Sequence, residues 1–154
     1  MQRKTKVQRQ PLSKRSNVKK ITKADRALVF IPTGIFVNRK LSFLESIVKY
    51  LKENQGYTFH EISILINRDE RNVWTLYNRV KKKRASVDIE VKPDSLGIPV
   101  NVLCDRRLSI LEVVVVYLKG TLNLPNNVIG KLLDRSNKTI WTCYSRACKK
   151  LAEK

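Results

Sequence analysis

Acidic residues are scarce in this chain: 13 Asp and Glu stand against 32 Lys and Arg among 154 residues, a formal net charge of +19. Such an imbalance implies a polyanionic partner, namely DNA, RNA or an acidic membrane surface. Histidine occurs once, at His60 in a helix-capping region, and offers no Ser-His-Asp triad. Cysteine occurs three times, at Cys104, Cys143 and Cys148. An odd number without paired spacing excludes a disulfide framework, and the spacing of the last two fits no zinc pattern. They read as small apolar helix residues. Glycine, at five residues, is too sparse for a P-loop or a dinucleotide fingerprint. No apolar run approaches the roughly 20 residues of a membrane span, and the basic N-terminus has no signal-peptide core. The expectation is a cytoplasmic, nucleoid-associated protein with no membrane, metal or cofactor and no catalysis. What the chain does have is a hydrophobic fraction of 42%, enough to bury a core.

The first 30 residues hold ten Lys and Arg and one acid, Asp25. Pro11, Ser13 and Ser16 break any periodicity, so Met1 to about Lys20 reads as a flexible arm. Its cations Arg3, Lys4, Lys6, Arg9, Lys14, Arg15, Lys19 and Lys20 suit phosphates or a minor groove. The plain alternative is a solubilising tail or a nuclear-type address. Thr22 to Asp25 can cap a short helix into Ala27–Phe30.

From Ile31 the sequence repeats itself at Ile98, with a constant offset of 67 and no gap. Ile31-Pro32 matches Ile98-Pro99, and Leu41-Ser42-x-Leu44-Glu45 matches Leu108-Ser109-x-Leu111-Glu112. Tyr50-Leu51-Lys52 matches Tyr117-Leu118-Lys119. Trp74-Thr75-x-Tyr77-x-Arg79 matches Trp141-Thr142-x-Tyr144-x-Arg146. Chance does not supply so many ungapped identities, so this is a duplicated module. The division is a basic arm at 1–30, a first module at 31–84, a linker at 85–97 and a second module at 98–154. Both modules are basic in their own right, at +6 each, whereas the linker carries −2.

Each module predicts three helices: 42–54, 58–66 and 70–84, then 109–120, 125–133 and 137–151. Ser42 with Glu45, Ser109 with Glu112, and Thr58 with Glu61 form capping boxes. Pro125 suits a first helical turn, and Asp69 and Ser136 cap the third helices. Val113 to Val116 alone favours a strand, but the aligned Ser46-Ile47-Val48-Lys49 is amphipathic helix. The helix stripes are Leu44, Ile47, Val48 and Leu51 with Leu111, Val114, Val115 and Leu118. Ile62, Leu65 and Ile66 point inward on the second helix. Val113 and Val116 replace Ser46 and Lys49 on the expected outer face of the first helix, an apolar patch for the other module or for a protein partner. Leu122 and Leu124, in place of Gln55 and Tyr57, point the same way. In the linker, Val87, Ile89 and Val91 alternate as in a short strand, before a turn at Pro93–Gly97. Asp88-x-Glu90-x-Lys92 has the form of a nuclease D/E-x-K element, but no second acid accompanies it.

Helix, tight turn, longer basic helix is the helix-turn-helix pattern. The third helices carry a stripe of Val73, Leu76, Tyr77 and Val80, matched by Ile140, Cys143, Tyr144, Ala147 and Leu151. Opposite this stripe lie Arg71, Thr75, Asn78 and Lys82, matched by Lys138, Thr142, Ser145 and Lys149. Arg71, Trp74, Thr75 and Asn78, with Lys138, Trp141, Thr142 and Ser145, are the candidates for base edges. Arg68, Arg79, Lys82 and Lys83, with Arg135, Arg146, Lys149 and Lys150, suit phosphates, where cations give affinity without sequence information. The competing reading for the outward set is a solvated face, and for the two Trp partial packing against a neighbouring helix or module.

The L-S-x-x-E segment, the E-I-x-x-L block ending in Arg, and the helix Thr139-Ile140-Trp141-Thr142-Cys143-Tyr144-Ser145-Arg146-Ala147-Cys148-Lys149-Lys150 resemble region four of bacterial sigma factors. The chain is also similar to short duplicated helix-turn-helix proteins of archaeal type. The resemblance covers both modules but neither arm nor linker. It implies a third helix that reads the major groove, and does not imply promoter melting. A Trp stands where that family usually has a polar residue, so base contacts do not carry over directly.

The sequence thus predicts an all-α protein of two tandem three-helix helix-turn-helix modules with a basic N-terminal arm. It should bind double-stranded DNA as a transcription regulator or architectural factor. Two alternatives are an RNA- or ribosome-associated protein and an adaptor docking on a polymerase through the valine patch. Half-sites read by two such helices lie about one helical turn, roughly 34 Å, apart.

Overall fold

The computed structural model describes residues 20–37, 39–83 and 95–153, and these are mostly helical. The first half runs from strand β1 (Phe30–Pro32) through a 3-10 turn (Thr33–Val37) to α1 (Phe43–Lys49), whose last turn widens into a π-helical turn (Tyr50–Asn54). Then come α2 (Phe59–Ile66) and α3 (Glu70–Lys82). The second half repeats this order: β2 (Gly97–Pro99), a 3-10 turn (Val100–Cys104), α4 (Ile110–Val116) with its π-helical turn (Tyr117–Thr121), α5 (Asn126–Leu133) and α6 (Asn137–Ala152). The six α-helices fall where the repeat and its caps place them, and Val113 to Val116 are helical.

The caps are made as the sequence predicts. The Ser42 and Ser109 hydroxyls accept from the amides of Glu45 and Glu112, and those glutamates reach back to the Ser amides. Thr58 and Glu61 do the same at α2. Asp69 accepts from the Arg71 amide and Ser136 from the Thr139 amide, which starts α3 and α6. The turn into α3 passes through Asn67 in the left-handed region (φ 53°), and the turn into α6 through its counterpart Asp134 (φ 52°). These short polar side chains tolerate αL, so each second helix stops and the chain turns within three residues.

The two halves are joined by a relationship that the local sequence pattern does not reveal. β1 and β2 pair antiparallel, with Ile31 opposite Ile98, Phe30 opposite Pro99 and Pro32 opposite Gly97. The ladder is extended on both sides: the Thr33 amide donates to the Leu96 carbonyl, and its counterpart, the Val100 amide, to the Val29 carbonyl, both at 2.9 Å. The 3-10 turns are exchanged. That of the first half packs on α5, and that of the second half on α2. Cys104, on the second turn, donates through Sγ to the Leu65 carbonyl of α2. Arg39, just past the first turn, reaches across to Asp134. Phe36 stacks on Phe43 with ring centroids 4.7 Å apart, and the Arg135 guanidinium lies over the Phe43 ring. One continuous core results, running from Ile31, Ile35 and Phe36 through Leu51, Ile62 and Val73 to Leu103, Leu118, Ile129 and Ile140.

Several expectations change in this light. Ser46 and Lys49 do not lie on an outer face: both are buried, as is Val113, and Val116 is half-buried against the core. α1 and α4 touch each other, so the second face of each first helix is covered by the other half. The valine patch is thereby taken up inside the molecule. Lys49 offsets its burial by an ion pair with Glu53. Leu124 packs on the core, but Leu122 is exposed, and so is Leu151 at the end of the α6 stripe. At the N-terminal side, Thr22 and Asp25 cap a 3-10 helix, Lys23–Ala27, instead of a helix continuing to Phe30. Phe30 belongs to β1 because the Ile31–Ile98 pairing takes it. Residues 1–19, 38, 84–94 and 154 lie outside the described residues, and with them the arm cations Arg3 to Lys19, the linker strand at Val87–Val91, the first two residues of the Pro93–Gly97 turn and the Asp88-x-Glu90-x-Lys92 element.

Candidate nucleic-acid interface

α3 and α6 each bury one side and leave the other free. Val73, Ile140 and Ala147 are fully buried, and Val80, two turns after Val73, is buried with Leu41 in a small cluster of its own. Leu76, Tyr77, Cys143 and Tyr144 are half-buried beside them. The Tyr77 hydroxyl donates to Glu53, and its ring meets Phe59 at 5.5 Å, which fixes α3 against α2 and the end of α1. Burial and the Glu53 carboxylate both push the Tyr77 phenol above its ordinary range, so it stays neutral.

On the free side stand Arg71, Trp74 and Thr75, all exposed, with Asn78 half-exposed beyond them. On α6 the corresponding residues are Lys138 and Trp141, exposed, and Thr142 and Ser145, half-exposed. Trp74 is 56% exposed and Trp141 62%, so more than half of each residue faces solvent. The two rings stand at equivalent positions on the two helices. Thr75 and Thr142 behave alike: each hydroxyl donates to the carbonyl four residues back, on Arg71 and Lys138, at 2.8 Å. Each hydroxyl oxygen thereby keeps its lone pairs as acceptor sites. Arg71 and Lys138 have no ion-pair partner among the described residues.

The eight cations expected at phosphates fall into three groups. Arg79, Lys82, Arg146 and Lys149 are exposed and make no ion pair among the described residues. Lys83 and Lys150 are instead tied back into the molecule. Lys83 meets the buried Glu45 carboxylate at 2.7 Å, and Lys150 meets Glu112 at 2.9 Å. These two pairs are counterparts, and each clamps the end of a third helix to the start of a first helix. Arg68 and Arg135 sit at the joint between the halves. Arg135 covers Phe43, and Arg68 is partly buried near Arg106, so desolvation and the like charge both lower its proton affinity. Of the eight arm cations expected at phosphates or a minor groove, Lys20 alone lies among the described residues, and it is exposed.

Sequence reading missed Phe59. It lines an open depression with Asp69, Glu70, Arg71, Trp74 and Thr75 at the start of α3. Lys52 lies over its outer ring face at 4.5 Å. Its counterpart is Asn126, so nothing in the repeat marks it. His60 faces Glu70 at 3.1 Å, both exposed. All three cysteines are free. Burial raises Cys104 and Cys143 above the ordinary thiol range, which makes poor nucleophiles of them. Among the described residues no cluster of His, Cys, Asp or Glu could hold a metal, and no helix is long and apolar enough to cross a membrane. Comparison with protein-family models, curated proteins and solved structures finds no match to this chain.

Proposed function

We propose that the chain binds double-stranded DNA, as a transcription regulator or architectural factor, with α3 and α6 each entering a major groove. The observation that carries this reading is the matched free face of the two helices. Trp, Thr and unpaired cations recur there at equivalent positions, on helices whose opposite sides are buried in one core. A helix preceded by a tight αL turn and a shorter helix is the part of a helix-turn-helix unit that docks in the groove. The resemblance to region four of sigma factors supports the same role. Arg71 or Lys138 suits guanine and Asn78 adenine, while the hydroxyl oxygens of Thr75 and Thr142 can accept from exocyclic amines. Arg79, Lys82, Arg146 and Lys149 take phosphates. A net charge of +19 supplies the salt-dependent part of the affinity.

A second reading, binding to structured RNA, draws on the exposed indoles, which could stack on unpaired bases. The test separates base reading from phosphate clamping. Asn78→Ala should cost about 1–3 kcal/mol on the preferred duplex and relax its preference at one base pair. Lys149→Ala should weaken every duplex alike. Equal losses from Asn78→Ala on random and preferred duplexes would remove the groove-reading role.

A further inference from the structure

We infer that the duplex sequence read by this chain is an imperfect inverted repeat, not the direct repeat that a head-to-tail duplication suggests. This rests on the proposed entry of α3 and α6 into grooves of one duplex, and adds the symmetry of what they read.

The observation is the register of the strand pair. The three residues of β1 face those of β2 in a reciprocal pattern. Ile31 meets its own counterpart Ile98, and Phe30 meets Pro99 while Pro32 meets Gly97, the counterparts of Pro32 and Phe30 respectively. Reciprocity of this kind, in which i meets j′ and j meets i′, is the mark of a two-fold axis. The same axis relates the Thr33–Leu96 and Val100–Val29 hydrogen bonds. It also relates the exchanged contacts of the two 3-10 turns with α5 and α2, and it brings α1 against its own counterpart α4. A head-to-tail stacking of modules, as in a solenoid, would produce none of these reciprocal contacts.

The axis therefore relates α3 to α6. α3 packs on α1, α1 on α4 and α4 on α6. Three packing steps of about 8–10 Å between axes put the two outer helices on the order of 30 Å apart, comparable to the roughly 34 Å between successive major grooves on one face of a duplex. A two-fold reader meets the two strands in opposite senses, so its half-sites are inverted. The half-sites are also unequal. Trp74 and Trp141, like Thr75 and Thr142, are shared, but Arg71 stands against Lys138 and Asn78 against Ser145. The bases met by the shared residues should match between half-sites, and those met by Asn78 and Ser145 should differ.

Selection of bound sequences from a random duplex library with the full chain tests this. The expected product is two inverted half-sites with centres about 10 base pairs apart. Reversing one half-site of that sequence should weaken binding at least tenfold. The double variant Arg71→Lys, Asn78→Ser makes the α3 face more like that of α6, and should select a more nearly perfect palindrome. Enrichment of a direct repeat or of one isolated half-site, or a change under twofold on reversal, overturns the inverted symmetry while leaving groove reading in place. The same asymmetry persisting in the double variant overturns the assignment of Arg71 and Asn78 to the unequal bases. No enrichment at all overturns both the symmetry and the groove reading beneath it.

Discussion

Ile31 and Ile98 hold the same place in the two repeats and face each other across the antiparallel strand pair, both fully buried. One contact thus belongs equally to both halves. The exchanged 3-10 turns add to it, since each half covers part of its second helix with a segment from the other. The halves should consequently unfold together, although the sequence divides them at a linker. Ile98→Ala should cost about 2–5 kcal/mol. Amide exchange in α3 and α6 should accelerate by the same factor, because loss of either half exposes the core of the other. Acceleration confined to the second half would show two independent units in contact.

The Lys150–Glu112 pair gives the fold a dependence on acid. Burial pushes the Glu112 carboxyl up, but the Lys150 ammonium and the Ser109 amide and hydroxyl outweigh it and hold the group below the usual carboxylate range. A depressed folded-state value means that the stabilisation is present above the ordinary carboxylate value of 4.5 and is lost as pH falls through the lower folded value. Lys150→Met should destabilise the protein at neutral pH by about 1.5–3 kcal/mol, the worth of a hydrogen bond to a charged group. It should also move the acid-unfolding midpoint to higher pH. Glu112→Gln should flatten the acid limb. An acid limb untouched by either change would assign acid unfolding to other carboxylates.

Trp74 and Trp141 should matter for binding and not for folding. Each indole is more than half exposed, so Trp74→Ala or Trp141→Ala should change stability by no more than about 0.5 kcal/mol, as for other surface substitutions. Affinity for duplex DNA should drop by about 1 kcal/mol or more, roughly fivefold in Kd. Parallel thermal melts and binding titrations decide the matter. A large loss of thermal stability with unchanged affinity would make the rings packing residues after all.

Much of this architecture is legible in the sequence because helix caps and the 67-residue offset are local or self-referential signals. Ser42, Thr58, Asp69, Ser109 and Ser136 start helices where their spacing to the following Glu or amide says they should. The repeat also corrects the strand-like appearance of Val113 to Val116. The two-fold axis leaves no such trace. Ile31-Pro32 and Ile98-Pro99 mark where each module begins, and no periodicity shows that the two beginnings pair. The error at Ser46 and Lys49 follows directly. A helical wheel drawn for a lone module has one inner side, whereas α1 is covered on a second side by the other half. Ser46 still shows the tension: its buried hydroxyl has no hydrogen-bond partner among the described residues, where the second half has Val113. The ion pairs of Lys83 and Lys150, each within one half, are hidden for a different reason. Their glutamates lie 38 residues upstream, and a cation at a helix end looks the same whether it meets a carboxylate or a phosphate.

The proposal as a whole stands on a preference for one duplex sequence over other polyanions. It is measured most directly by the Kd for a selected duplex, a random duplex and a structured RNA, determined side by side at physiological salt. A groove reader with two matched helices should prefer its selected duplex over random duplex by at least about a thousandfold, and should bind the RNA no better than the random duplex. Equal affinity for both duplexes, with the RNA bound more tightly than either, would contradict it.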